Sequence, residues 1–113
     1  MGYFKHHSIV VTGWDEKALR VAQRKAKDLG LCPSALTPPQ TNRYRSFFIA
    51  PDGSKEGWDT SDARDSARGE FTDFLKRSGI YVDWCEVAFG GDFQDATVTA
   101  HGDEELTEKE GVN

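Results

Sequence analysis

The first residues whose types and spacing could do chemistry are two histidines and a serine at the start of a predicted strand. His6, His7 and Ser8 form an H-x-S sequence. A pair of histidines that cleaves a phosphodiester by acid–base catalysis uses such a sequence on each of two strands. The remaining histidine, His101, is followed by glycine and aspartate, so the second copy is missing. A phosphodiesterase that uses His6 or His7 therefore stays an alternative, beside a structural role for the pair.

Nucleophiles and metal ligands lack the spacing of a catalytic or metal site. Cys32 and Cys85 are far apart and have no paired spacing, so we interpret both as reduced thiols, with Cys85 facing the core. No serine lies in a nucleophile-elbow sequence, and neither a P-loop nor a GxGxxG sequence occurs. The sequence therefore predicts no enzyme, no metal and no cofactor.

Cationic and aromatic residues cluster instead on either side of a predicted strand. The loop that follows this strand leads into a helix N-terminus, which favours anions through its free N–H groups and its dipole. Aromatic rings stack on bases and cations bind phosphates, so this pattern predicts a site for a small nucleotide. In the alternative interpretation, Trp58 packs the loop onto the helix and Lys55 points to water. The predicted ligand-binding residues are Trp14, Arg43, Tyr44, Arg45, Ser54, Lys55, Trp58 and His7.

Periodicity and turn residues predict the elements that position these side chains. Alternating and β-branched residues indicate strands, and apolar residues three or four apart indicate helices. The predicted order is strand 8–12, a helix from Asp15 to Leu29, a short edge strand at 34–37, strand 44–50, a helix capped by Thr60 or Ser61 and ended by Gly79, and strand 80–89. The apolar stripe predicted for the second helix consists of Ala63, Ala67, Phe71, Phe74 and Leu75. This β-α-β-β-α-β order predicts an α+β ferredoxin-like fold, a four-stranded antiparallel sheet with two helices on one face.

Charge divides the chain into a predicted domain at 1–91 and an acidic tail at 92–113, which begins with one possible short strand at 96–100. The tail holds seven acids and one base, whereas residues 1–50 hold eight bases and three acids. The first half can therefore attract a small anion, while the acidic remainder would repel a long nucleic acid. No apolar run is long enough to span a membrane and no signal peptide is visible, which predicts a cytoplasmic protein with no membrane partner.

A sheet with both helices on one face leaves its other face open. Tyr44, Phe48 and residues of the last strand are predicted on this face. Large apolar patches are rarely left exposed, so we expect a homo-oligomer, a dimer or a tetramer, in which this face is covered.

Three sequence segments resemble those of a group of small proteins from phages and their actinobacterial relatives. The segments are HHSIVVT, YRSFFIAPDGSKEGWD and VDWCEV, and the resemblance covers most of residues 6–90. The chain is also similar in size and character to phage anti-CBASS sponge proteins. That resemblance implies a non-enzymatic oligomer that binds a cyclic dinucleotide in the host cytoplasm and withholds it from an immune effector. It assigns no residue here, and an inhibitor that binds a host protein through the acidic tail remains an alternative.

Overall fold

The computed structural model describes residues 3–92 and 94–102, so the tail predicted beyond residue 102 lies outside the described residues. Two strand–helix pairs are followed by two further strands, and a 3₁₀ turn precedes the second strand. They are β1 (His6–Gly13), α1 (Glu16–Asp28), the 3₁₀ turn Thr41–Arg43, β2 (Arg45–Ile49), α2 (Asp59–Arg77), β3 (Asp83–Phe89) and β4 (Thr97–His101). No helix among the described residues is long and apolar enough to cross a membrane.

The strands form one antiparallel sheet in the order β2-β1-β3-β4. An extended segment, residues 33–37, runs along the outer edge of β2, where Pro33 bridges Ile49. Counting this segment as the second strand gives the order β-α-β-β-α-β and the ferredoxin-like arrangement, with β4 added at the opposite edge. The predicted α+β ferredoxin-like fold is confirmed, and the possible strand at 96–100 is β4.

Two hydroxyl groups complete the pairing of the 33–37 segment with β2. The N–H of Ser34 donates to the Phe48 carbonyl at 2.9 Å, and the N–H of Phe48 donates back to Ser34 Oγ at 3.0 Å. Thr37 and Ser46 repeat this exchange at 2.9 and 3.0 Å. Side-chain oxygens thus accept the hydrogen bonds that backbone carbonyls accept in a regular ladder.

The first helix forms as its sequence predicts. Asp15 caps it by accepting the N–H of Lys17 at 3.0 Å, and Gly30 follows its end with a φ of +83°. Glycine adopts this left-handed conformation without a steric penalty. Small apolar residues cover the face that packs on the sheet, and the buried ones are Ala18, Leu19, Ala22 and Ala26.

The second helix begins earlier than predicted. Its N-cap is Trp58, which makes no side-chain capping bond, so the prediction of Thr60 or Ser61 as the cap was wrong. The Trp58 carbonyl already accepts the N–H of Asp62 at 3.0 Å, and Ser61 lies buried inside the first turn. Because no side chain caps this helix start, the sequence contains no capping residue from which the start could be predicted.

The buried face of α2 is partly polar. Ala63, predicted in the apolar stripe, is exposed, whereas Arg68 and Thr72 are buried beside Phe71 and Leu75. The stripe prediction was therefore wrong at Ala63. Arg68 points from the helix to the sheet, where its Nε lies 3.2 Å from a carboxylate oxygen of Glu86 on β3.

Both faces of β3 carry apolar residues. We predicted that the face with Cys85 packs on the core, but the opposite face does so. Trp84 and Ala88 are buried against the helices, whereas Cys85 is partly exposed and pairs with Val10 on the open face. The prediction that Cys85 faces the core was wrong. The largest fully buried side chains are Phe47, Phe71, Ile9, Leu19 and Val11.

Candidate functional site

The structure divides the predicted ligand-binding residues between opposite ends of the sheet. Trp14, Arg43, Tyr44 and Arg45 lie where β1 ends and β2 begins, whereas the other four lie where β1 begins and β2 ends. From His7 to Gly13 the strand rises roughly 20 Å at about 3.3 Å per residue. The eight residues therefore do not form one site, and each group has to be considered separately.

The first end carries a groove with a volume of about 650 Å³. This volume lies within the range of small-molecule sites, about 300–1,000 Å³. Its described lining includes two cations and one carboxylate, Asp83. The aromatic and cationic residues of the groove are Trp14, Tyr44, Lys76, Arg77, Tyr81, Trp84 and His101.

Several rings in this groove are open to a ligand. Trp14 is 48% exposed and Tyr81 is 77% exposed, while Trp84 is buried at the base. Sequence reasoning missed Tyr81 and Trp84 because they reach Trp14 only through the pairing of β3 with β1. It missed Arg77 because this residue joins the groove from the end of α2. Close contact between the two segments is visible at Gly13, where an added Cβ would lie 3.2 Å from the Tyr81 carbonyl oxygen.

A second depression of about 230 Å³ adjoins the groove, because Trp14 lines both. Arg43 and Arg45 line it together with Glu16. Arg45 lies 3.6 Å from Glu16, and a hydrogen bond from Arg20, followed by the charge of Arg45, holds the pKa of the Glu16 carboxyl below its usual value. Arg45 therefore shares its charge with a carboxylate at this site.

Arg43 differs from Arg45 in both its backbone and its partners. It is exposed, and its side chain joins no ion pair among the residues that the structure describes. Asn42 and Arg43 have φ values of 58° and 64°, a left-handed pair that costs roughly 1–3 kcal/mol per residue. An exposed guanidinium without a carboxylate partner is available to an anion, so Arg43 is the best phosphate-binding candidate at this end.

At the opposite end, the loop after β2 docks on the N-terminal segment. Lys55 forms a β-bridge with Phe4, and its ammonium group lies over the rings of Phe4 and Trp58. Ser54 is engaged in a turn, since its N–H and its hydroxyl both donate to Asp52 Oδ1, at 2.9 and 2.8 Å. These contacts favour a structural role for the loop over a ligand-binding role.

The neighbouring histidines point to opposite faces of the sheet. His6 lies against Phe89 with 5.7 Å between ring centroids, on the open face. His7 lies on the helix side, where its Nε2 is 3.2 Å from Glu56 Oε2. Because alternate residues of a strand face opposite ways, the two imidazoles cannot act together on one phosphate.

An ionic cluster lies beside His7 under the start of α2. Arg68 contacts Asp65 and Glu86, and Arg64 lies 3.5 Å from Asp52. Burial opposes ionisation of Asp52, but its hydrogen bonds from Ser54 and the nearby Arg64 guanidinium outweigh burial and hold its pKa below the usual value.

No model of a known protein family matches the chain, and a search of curated proteins finds no match. The geometry of the two ends of the sheet therefore carries the functional argument.

Proposed function

We propose that this protein binds a small nucleotide without turning it over, and that the ligand is a cyclic dinucleotide held in the groove beside Trp14. The observation that carries this proposal is the meeting of aromatic rings and arginines around two adjoining depressions that share Trp14. Bases would stack on Trp14 and Tyr81, and phosphates would meet Arg43 and Arg77.

The expected energies are sufficient for a specific complex. Stacking of a base on an aromatic side chain contributes about 1–3 kcal/mol, and a hydrogen bond to a charged group about 1.5–3 kcal/mol. A cyclic dinucleotide offers two bases and two phosphates, which fit a site with several rings and several cations. Arg77 strengthens this argument because, like Arg43, it joins no ion pair within the described part of the chain.

We propose further that two or four copies assemble through the open face of the sheet. Val10, Phe48 and Val98 are 40%, 46% and 56% exposed there, and covering them would remove apolar surface from water. An oligomer that withholds a nucleotide signal in the host cytoplasm is the biological role that agrees with the resemblance to phage sponge proteins.

The purified full chain can be tested by incubation with a panel of cyclic di- and trinucleotides, followed by removal of the protein and chromatography of the solution. Depletion of one nucleotide, and its intact recovery after heat denaturation of the protein, is the expected result. Altered products would refute non-enzymatic binding and direct attention to His7. If no nucleotide is depleted, the proposal fails and the protein-binding alternative takes its place.

Matched tryptophan variants locate the ligand. Trp14→Ala should abolish or strongly weaken depletion, because it removes a ring that lines both depressions. Trp58→Ala removes an equally exposed ring at the opposite end of the sheet and should leave depletion unchanged. Equal losses in the two variants would contradict the placement of the ligand beside Trp14.

A further inference from the structure

Three potential metal ligands from distant parts of the chain meet at the end of the sheet away from the groove. They are His7 of β1, Glu56 of the loop after β2 and Asp65 of α2. One ligand atom from each lies within 4.8 Å of the other two. The sequence separation of these residues gives no spacing motif, so the cluster is visible only in the folded chain.

The distances suit a shared ion. His7 Nε2 and Glu56 Oε2 are 3.2 Å apart. Two ligands at about 2.0–2.1 Å from a tetrahedral zinc ion are separated by about 3.3 Å. Asp65 contacts Arg68 through its Oδ1, and a carboxylate has a second oxygen that remains for a metal. Carboxylates that bind metals are in turn hydrogen-bonded by outer groups, and Arg68 is such a partner of Asp65.

The charges around the cluster also favour a cation. Four carboxylates face two guanidinium groups and the ammonium group of Lys5, which lines the adjoining cavity, so one negative charge is in excess when His7 is neutral. Charges that are partly removed from water need compensation, and one divalent cation supplies it. The carboxylates are those of Asp52, Glu56, Asp65 and Glu86, and the guanidinium groups are those of Arg64 and Arg68.

A small polar cavity of about 10 Å³ lies against His7 and Glu56, with Ser61 and Arg68 also in its wall. This is about the space that one water molecule or one ion occupies. The side chain of Arg68 is about nine-tenths buried, yet its Nε has no hydrogen-bond partner within the described residues, since its 3.2 Å contact with Glu86 lacks hydrogen-bond geometry. An N–H group needs a hydrogen-bond acceptor, so a water molecule bound to an ion at the neighbouring cluster would give this N–H a partner. Asp65 lies outside the wall of the cavity, and its exposure leaves a path from solvent to the cluster.

We propose that His7, Glu56 and Asp65 bind a divalent transition-metal ion, with zinc as the best match. One imidazole and two carboxylates form a mixed N and O donor set, which zinc accepts in four-coordinate sites with one position left for solvent. The site tethers the start of α2 and the loop after β2 to β1. It is independent of the nucleotide groove, which lies at the other end of these strands.

The test uses the full chain without a polyhistidine tag, stripped of metal with a chelator and titrated with zinc in competition with a chromogenic chelator. The expected result is one zinc ion per chain. His7→Gln and Asp65→Asn should each weaken zinc binding by at least roughly tenfold, since even the loss of an outer partner of a metal ligand costs about 10–100-fold. Zinc should also raise the melting temperature of the parent chain more than that of either variant.

Two control variants separate this site from adventitious binding. His6→Gln removes the adjacent imidazole on the opposite face, and Asp62→Asn removes an exposed carboxylate of the same helix turn. Both should bind zinc as the parent does. No stoichiometric binding, or an equal loss of affinity in His6→Gln and His7→Gln, would overturn the proposal. A cobalt-loaded parent whose visible spectrum is unchanged by His7→Gln would overturn it as well, even if that variant proved less stable.

Discussion

The ammonium nitrogen of Lys55 lies 5.9 Å from the centroid of the Trp58 ring. The same nitrogen lies 5.2 Å from the centroid of Phe4, and Lys55 also pairs with Phe4 through the backbone. Cation–π contacts of this kind contribute roughly 0.5–1 kcal/mol at exposed sites. Lys55 therefore holds the loop after β2 on the N-terminal segment, and Trp58 contacts the same ammonium group, although their residue types alone also suit a nucleotide site.

The first prediction compares two cations at opposite ends of the sheet. Arg43→Ala should weaken nucleotide binding by about 1.5–3 kcal/mol, because it removes a charge-assisted hydrogen bond to phosphate. Lys55→Ala should leave the affinity unchanged and lower the free energy of unfolding slightly. Isothermal titration calorimetry with the depleted nucleotide measures the first effect, and urea unfolding measures the second. A weaker complex for Lys55→Ala alone would reverse the assignment of the site.

The fold was predictable from local sequence because each element has a physical cause that acts over a few residues. β2 alternates in exposure as predicted, and Asp15 and Gly30 delimit α1 by capping chemistry. The β-branched run of β1 predicts a buried strand, but Val10 is exposed between the buried residues Ile9 and Val11. The predictions were wrong where the local sequence favours two arrangements equally. Both faces of β3 carry apolar residues, so alternation alone cannot decide that Trp84 rather than Cys85 faces the core.

The candidate site was less predictable because it depends on which strand ends meet. Arg45 and Lys55 are only ten positions apart in the sequence, yet β2 and the loop after it carry them to opposite ends of the sheet. Conversely, Tyr81 joins Trp14 only because β3 runs antiparallel to β1. Sequence patterns give the types of these residues, whereas strand pairing, which is a long-range property, gives their neighbours.

The second prediction tests the covering of the open face. Phe48→Lys places a charge at one end of the exposed apolar row, beside Val10, without touching the core. Burial of an unpaired charge in an interface is costly, so this variant should shift the oligomer to monomers in sedimentation-velocity measurements. Val21→Lys is the matched control, since Val21 is 48% exposed on α1 and away from this face. The idea of assembly through the open face fails if Phe48→Lys sediments like the parent.

The third prediction compares two glycines with positive φ. Gly91 has a φ of +65°, and an added Cβ would lie 2.6 Å from the Cβ and the carbonyl oxygen of Phe4. Gly53 has a φ of +80° and no atom within 4 Å of the added Cβ. Gly53→Ala should therefore cost only the strain of the left-handed conformation, about 1–2 kcal/mol, and Gly91→Ala should cost clearly more. Denaturant midpoints measure both, and equal midpoints would show that the N-terminal segment yields without cost.

The fourth prediction concerns acid and Asp52. Its pKa is lower in the folded protein than its ordinary value of 3.8, so the unfolded chain binds this proton more readily. The stabilisation is therefore complete above the unfolded pKa and is lost as the pH falls through the folded pKa. Asp52→Asn should be less stable than the parent at pH 7, and the difference should shrink as the pH approaches 3. Urea unfolding at a series of pH values would detect this convergence. A constant difference between the two proteins would contradict a lowered pKa of Asp52 in the folded protein.

The hydroxyl pairing of Ser34 and Thr37 with β2 has a consequence for the behaviour of the chain at high concentration. An unpaired strand edge is a template on which strands of other molecules can add, and it is a common origin of aggregation. The N–H groups of Phe48 and Ser46, together with their carbonyls, are already occupied by this segment. Pro33, Pro38 and Pro39 interrupt the segment and its continuation, so its own outer edge is a poor template in turn. Ser34, Thr37 and the neighbouring prolines therefore prevent other molecules from adding strands at this edge of the sheet.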